Sequence, residues 1–110
     1  MGFARGIERR LERLVDGLAA RLFRGRIHPV ELGTLLVREA DLGIYETPGG
    51  WGVPNRFVVT MGGEPVDGEV LHAVERELAA FVEDSALERG WRLEGPARVA
   101  VAVDSARRPA

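Results

Sequence analysis

Apolar residues recur along the first quarter of the chain at intervals of three and four: Phe3, Ile7, Leu11, Leu14, Val15, Leu18, Leu22 and Phe23. That period puts them on one stripe of an amphipathic helix. Arg5, Arg9, Arg10, Arg13 and Arg21 occupy its other faces, with Glu8 and Glu12 a turn away from arginine neighbours. Gly25 is a stop. A second helix starts at "HPVE", where His28 can cap, Pro29 suits the first helical position and Glu31 can reach back to a free backbone N–H. Leu32, Leu35 and Leu36 supply its apolar face, flanked by Val30 and Val37, and the pattern ends near Asp41 or Leu42.

From Gly43 to Met61 the helical period is lost, and glycines with two prolines indicate an extended, hairpin-like region. "FVVTM" is its clearest strand: Phe57, Val59 and Met61 fall on one face and Val58 and Thr60 on the other, until Gly62-Gly63. Asp67 is a natural cap for a third helix, in which Val70, Leu71, Val74, Leu78, Phe81 and Val82 keep the period up to Gly90. "WRLE" and "ARVAVAV" follow as strands, the second alternating Val99, Val101 and Val103 with Arg98, Ala100 and Ala102. Gly95-Pro96 between them reads as a tight turn. The expected fold is α+β, with three amphipathic helices packed on one face of a small sheet of three to four strands, in the order α-α-β-(β)-α-β-β. Residues 1 to 103 form one domain in this reading, and 104 to 110 a disordered tail or the start of a linker.

Composition narrows the chemistry. A chain of 110 residues, 45% hydrophobic, suits a single core. It has no cysteine, which removes disulfides, thiolate nucleophiles, cysteine zinc sites and Fe–S clusters. All fifteen basic residues are arginine, so neither Schiff-base chemistry nor a P-loop lysine is available. No apolar run approaches the roughly 20 residues that span a bilayer, and arginines interrupt the N-terminus where a signal peptide would be apolar. A cytoplasmic location is expected, with recruitment to the inner face of the membrane through partners. Charge is uneven: +4 over residues 1 to 26, −9 over 27 to 88 and +3 over 89 to 110. Such asymmetry suits a nucleic-acid, membrane-surface or acidic-partner contact, and equally the solvated helix faces of an ordinary domain.

The remaining motifs carry little catalytic content. "GGWG", residues 49 to 52, has the spacing of a KH-domain GxxG loop, but that loop joins two helices and is basic, whereas this one separates a helix from a strand. It reads as a turn, with Trp51 covering a sheet edge or core margin. "EVLH" places Glu69 and His72 at a di-iron spacing, yet occurs once, so His72 is expected to pair on the surface with Glu69, Glu75 or Arg76. Ser85, Ser105, Thr34, Thr47 and Thr60 lie in no Gly-x-Ser-x-Gly elbow, and the carboxylates between 64 and 88 follow a helix surface. No catalytic, cofactor-binding or metal-ligating residue is expected, no small-molecule substrate either, and the chain reads as non-enzymatic. Its contact surface is expected at Arg9, Arg10 and Arg13, with Trp51 second. Protein partners fit, including a second copy through the opposite charges of the first and third helices. The alternative is weak single-stranded nucleic-acid binding by the same arginines, disfavoured by the net charge of −2 and the scarcity of aromatics.

"GFARGIERRLERLVDGLAARLFRGRIHPVELGTLLVREAD", then "VPNRFVVTM", a long acidic helix and "EGPARVAVAV" together closely resemble the N-terminal domain of actinobacterial FhaA-type proteins, over residues 2 to 103. The most specific parts are "HPVEL", "READ", "VPNRFVV" and the Gly-Pro before the last strand. In that family the domain precedes a linker and a forkhead-associated (FHA) domain that binds phosphothreonine. The resemblance implies an accessory interaction module in Ser/Thr-kinase signalling and the control of peptidoglycan synthesis, with an FHA-domain protein or a kinase-pathway component as partner. The phosphothreonine-reading residues belong to the FHA domain, so none is assigned here.

Overall fold

A computed structural model describes residue 11 and residues 20 to 105. One turn of α-helix, Ala20–Phe23, precedes α1, Pro29–Leu42. Three strands follow, β1 (Tyr45–Thr47), β2 (Gly50–Val53) and β3 (Arg56–Gly62), then α2 (Gly68–Arg89), β4 (Trp91–Leu93) and β5 (Arg98–Asp104).

The helix ends are set by local chemistry. His28 Nδ1 accepts the Val30 N–H at 3.1 Å, and Pro29 opens α1 with its ring buried. Asp67 accepts the Glu69 N–H at 2.8 Å and starts α2. Gly90 ends it at φ 71°, where a side chain is strained. Arg89 in the last turn complements the helix dipole.

β1 and β2 form the hairpin expected after Gly43, pairing Tyr45 with Gly52 and Glu46 with Trp51. The later strands run parallel to the earlier ones: β2 pairs with β4, Trp51 against Trp91, and β3 pairs with β5, Arg56 against Arg98. Two sheets result, ordered β1-β2-β4 and β3-β5. Gly95-Pro96 is therefore no hairpin turn. The chain keeps its direction from β4 to β5, and Glu94 to Ala97 bulge out opposite the shorter Pro54-Asn55 link between β2 and β3. Asn55 bridges the gap, its carbonyl accepting the Arg98 N–H at 2.8 Å and its Nδ2 donating to the Pro96 carbonyl at 3.0 Å.

The core lies between the helices and the inner faces of the strands. Phe57, Met61, Val99 and Val101 meet Val74, Leu78, Phe81 and Val82 of α2 and Leu32, Leu36 and Ala40 of α1, all buried. Leu11, Leu22 and Phe23 join them, which places these three members of the first apolar stripe inward. Gly33 lets α1 sit close: a Cβ there would stand 2.6 Å from Leu11 Cδ1 and 2.8 Å from Phe81 Cε1. Arg26 ties the start of the described segment to the end of β3, donating from Nε to the Gly62 carbonyl at 2.7 Å and from its terminal nitrogens to the carbonyls of Leu22 and Glu64.

The α+β class stands, and the detailed expectation is corrected on two points. The described residues contain two long helices rather than three, because the first expected helix, apart from Leu11 and the turn Ala20–Phe23, lies outside them. Among the described residues the strands number five in two sheets rather than three to four in one. The Gly-Pro and Pro-Asn steps interrupt both members of the parallel ribbon and divide it.

Candidate functional site

The expected contact arginines Arg9, Arg10 and Arg13 lie outside the described residues. Trp51 is inside them, on β2, and the register brings it beside a residue the sequence reading had not singled out. Trp51 and Trp91 are partners in the parallel β2–β4 ladder, so their side chains leave the same face. Val53 and Leu93, two residues further along each strand, share that face, and Val53 is completely buried. The ladder thus runs from the core outward, with Trp91 partly buried against it and Trp51 half exposed at 50%. Trp51 is thus an exposed side chain on the central strand of its sheet, not a cover for a sheet edge. The Arg89 guanidinium lies over the Trp91 ring, 5.4 Å from its centroid, a cation–π arrangement at the junction of α2 and β4.

The opposite face of the same sheet carries a second polar–aromatic group. Tyr45 lies across Gly52, where a Cβ would stand 2.6 Å from its ring, and its hydroxyl donates to Glu94 Oε1 at 2.8 Å. That carboxylate, as hydrogen-bond acceptor first, with desolvation and its negative charge adding to it, raises the Tyr45 phenol above its ordinary value of 10.0. The Arg92 guanidinium occupies the space a side chain at Gly49 would fill. Gly49 and Gly52 of "GGWG" are thus explained by the side chains that cross them and Gly50 by its φ of 136°, and no backbone-gripping loop is needed. Thr47 closes the hairpin by donating from its hydroxyl to the Gly50 carbonyl at 2.7 Å.

The other candidates fall into structural roles. His28 spends Nδ1 on its cap and borders an open pocket of about 230 Å³ with Ala20, Phe23, Arg24 and Pro29. His72 is exposed on α2, while Glu75, one of its expected partners, instead accepts the Val101 N–H of β5 at 2.7 Å. Among the described residues no three His, Asp or Glu side chains converge as metal ligands. Ser85 is buried in the core face of α2. No helix among the described residues is long and apolar enough to cross a membrane.

Trp91, Arg89, Tyr45, Arg92 and Glu94 are the site residues that periodicity did not select. An aromatic following a helix-ending glycine was the available signal for Trp91. Its neighbour across the ladder could not be read from a pattern 40 residues away.

Residues 5–109 match the family model described as the FhaA N-terminal domain. The chain is 38% identical over 98 residues to the FHA domain-containing protein FhaA of Mycobacterium tuberculosis, an alignment covering 81% of this chain and 18% of that protein. A solved structure of the Rv0020c N-terminal region matches with a TM-score of 0.62 at 30% identity, covering 79% of this chain and 68% of that one.

Proposed function

The chain belongs to the FhaA N-terminal domain family, and from that premise we propose that it is a non-enzymatic protein-interaction or scaffold module. In this reading it serves Ser/Thr-kinase signalling, alongside phosphothreonine recognition by an FHA domain, and bears on peptidoglycan and cell-envelope regulation. The supporting observation is the half-exposed Trp51 in register with Trp91, whose ring carries Arg89. Tryptophan and arginine clustered on a rigid, half-buried platform are the residues on which protein interfaces concentrate their binding energy. The platform is anchored by its own core contacts, so little ordering is lost when a partner covers it. Arg9, Arg10 and Arg13 are proposed as a basic contact in addition to it.

Binding of the chain to a pathway kinase domain and to an isolated FHA domain, followed by calorimetry, tests this. Trp51→Ala should weaken the complex by about tenfold or more, the usual effect of truncating an interface tryptophan, with unchanged circular dichroism. The triple change of Arg9, Arg10 and Arg13 to Glu should abolish it. Unchanged affinity in both variants refutes the surface. Binding of single-stranded oligonucleotides that weakens steeply with salt would favour the nucleic-acid reading instead.

A further inference from the structure

Two tryptophans share one row of the β1-β2-β4 sheet, and only one of them has a partner. Glu46, Trp51 and Trp91 are consecutive members of that row, Glu46 opposite Trp51 across the hairpin and Trp51 opposite Trp91 across the parallel pair. Their side chains therefore leave the same face, about 5 Å apart from strand to strand. Trp91, partly buried, carries the Arg89 guanidinium 5.4 Å from its ring centroid. Arg89 has no carboxylate partner among the described residues, so the indole ring is what this exposed cation has chosen. Trp51, 50% exposed, has no ring or cation over it among the described residues. The carboxylate of Glu46, exposed beside it, has no hydrogen-bond or ion-pair partner among them either.

That combination selects for charge and for shape. An indole face is negative and attracts a cation within about 6 Å of its centroid, and a neighbouring carboxylate adds to the same potential. An anionic or purely apolar side chain laid on Trp51 would leave Glu46 covered and unmatched. Arginine answers both groups better than lysine, because its planar guanidinium stacks on a ring while its edge N–H groups remain free to donate to a carboxylate. The wider field has the same sign, with three arginines against twelve acidic residues between positions 27 and 88. Trp91 is already occupied by Arg89, which leaves the Trp51 end of the row for an incoming cation. Val53, two residues along β2 on the same face, is completely buried, so the Trp51 ring stands on an anchored strand.

We propose that Trp51 and Glu46 form a receptor for an arginine side chain of a partner protein, the guanidinium lying on the Trp51 ring and donating to the Glu46 carboxylate. The ligand class is a basic, arginine-bearing peptide segment. Arg89 on Trp91 is the intramolecular counterpart of the contact. The inference rests on the reading of Trp51 as an interaction surface and adds what that surface recognises. Its charge preference is opposite to that of Arg9, Arg10 and Arg13, so the two contacts select different parts of a partner.

The chain has two tryptophans, so two indole N–H signals follow the two rings separately in an NMR titration. The probes are a blocked peptide of alternating glycine and arginine and its lysine and glutamate counterparts. The Trp51 signal should shift saturably with the arginine peptide, require several-fold more of the lysine peptide and ignore the glutamate peptide. Glu46→Gln should weaken the arginine peptide about threefold, the usual size of an exposed charge pair. Trp51→Leu should abolish saturable binding, with an unmoved Trp91 signal showing that the variant is folded. No saturable shift at Trp51, a lysine or glutamate peptide bound as tightly as the arginine one, or undiminished binding in either variant overturns the proposal. Self-association of the chain that disappears in Trp51→Leu gives the ring to a second copy and overturns it too. A kinase-domain or FHA-domain complex separates this inference from the reading beneath it. Weakening by Trp51→Ala but not by Glu46→Gln keeps the surface and removes its arginine specificity, whereas indifference to Trp51→Ala removes the surface itself.

Discussion

Asn55 holds the two interrupted strands together by donating its Nδ2–H to the Pro96 carbonyl at 3.0 Å, while its own carbonyl accepts the Arg98 N–H at 2.8 Å. "VPNR" and "EGPAR", far apart in the chain, are thereby two halves of one structural device. Asn55→Ala removes one exposed side-chain bond, and a loss of about 1 kcal/mol in urea unfolding is expected. Asn55→Asp also lacks the donor and should be no better. Full stability in both would mean that the backbone bond alone closes the gap.

Gly33→Ala sets helix propensity against packing. Alanine gains about 1 kcal/mol in a helix interior, but its methyl would meet the Leu11 and Phe81 side chains inside 3 Å. Overpacking of that kind costs about 1–3 kcal/mol, so a net lowering of the thermal midpoint is expected. A rise would show that α1 has room to move away from α2.

Glu75→Ala leaves the Val101 N–H of β5 without its acceptor. Hydrogen bonds to charged groups contribute about 1.5–3 kcal/mol, and a loss in that range is expected from denaturant titration. Glu75→Gln keeps an oxygen in place and should lose less. The alanine variant also unblocks an edge, so light scattering should report greater association at high concentration.

Tyr45 is the sole tyrosine, which makes its ionisation readable by phenolate absorbance. Its folded-state pKa is raised, first by the hydrogen bond to Glu94. The protonated phenol is thus favoured by folding: the stabilisation is present below pH 10, the ordinary phenol value, and is lost as pH rises through the folded value. Glu94→Gln should move the titration down toward that ordinary value. An unmoved curve would mean that the Tyr45–Glu94 bond does not persist in solution.

Several features were legible in the sequence because their causes are local. His28, Asp67 and Gly90 act on the turn next to them, and the helical period of Val70 to Val82 needs only its own helix. The hairpin after Gly43 also followed from neighbours in the chain. Glu75 was misread for the same reason. Its helical neighbourhood offers His72, and the N–H that claims it lies 26 residues away. Gly95-Pro96 has the composition of a turn and behaves as a bulge, since strand direction is set by the partner strand.

By itself the sequence determined the α+β class, the helix spans and caps within the described residues, the strand faces, and the family to which the chain belongs. Tertiary structure alone decided that β4 and β5 run parallel to β2 and β3, that Trp51 stands beside Trp91, and that Glu75 reaches the Val101 N–H at the edge of β5. The division follows from range. Caps and periods arise from contacts within a few residues, whereas strand partners are chosen by burying faces that meet only after a helix of 22 residues has carried the chain back.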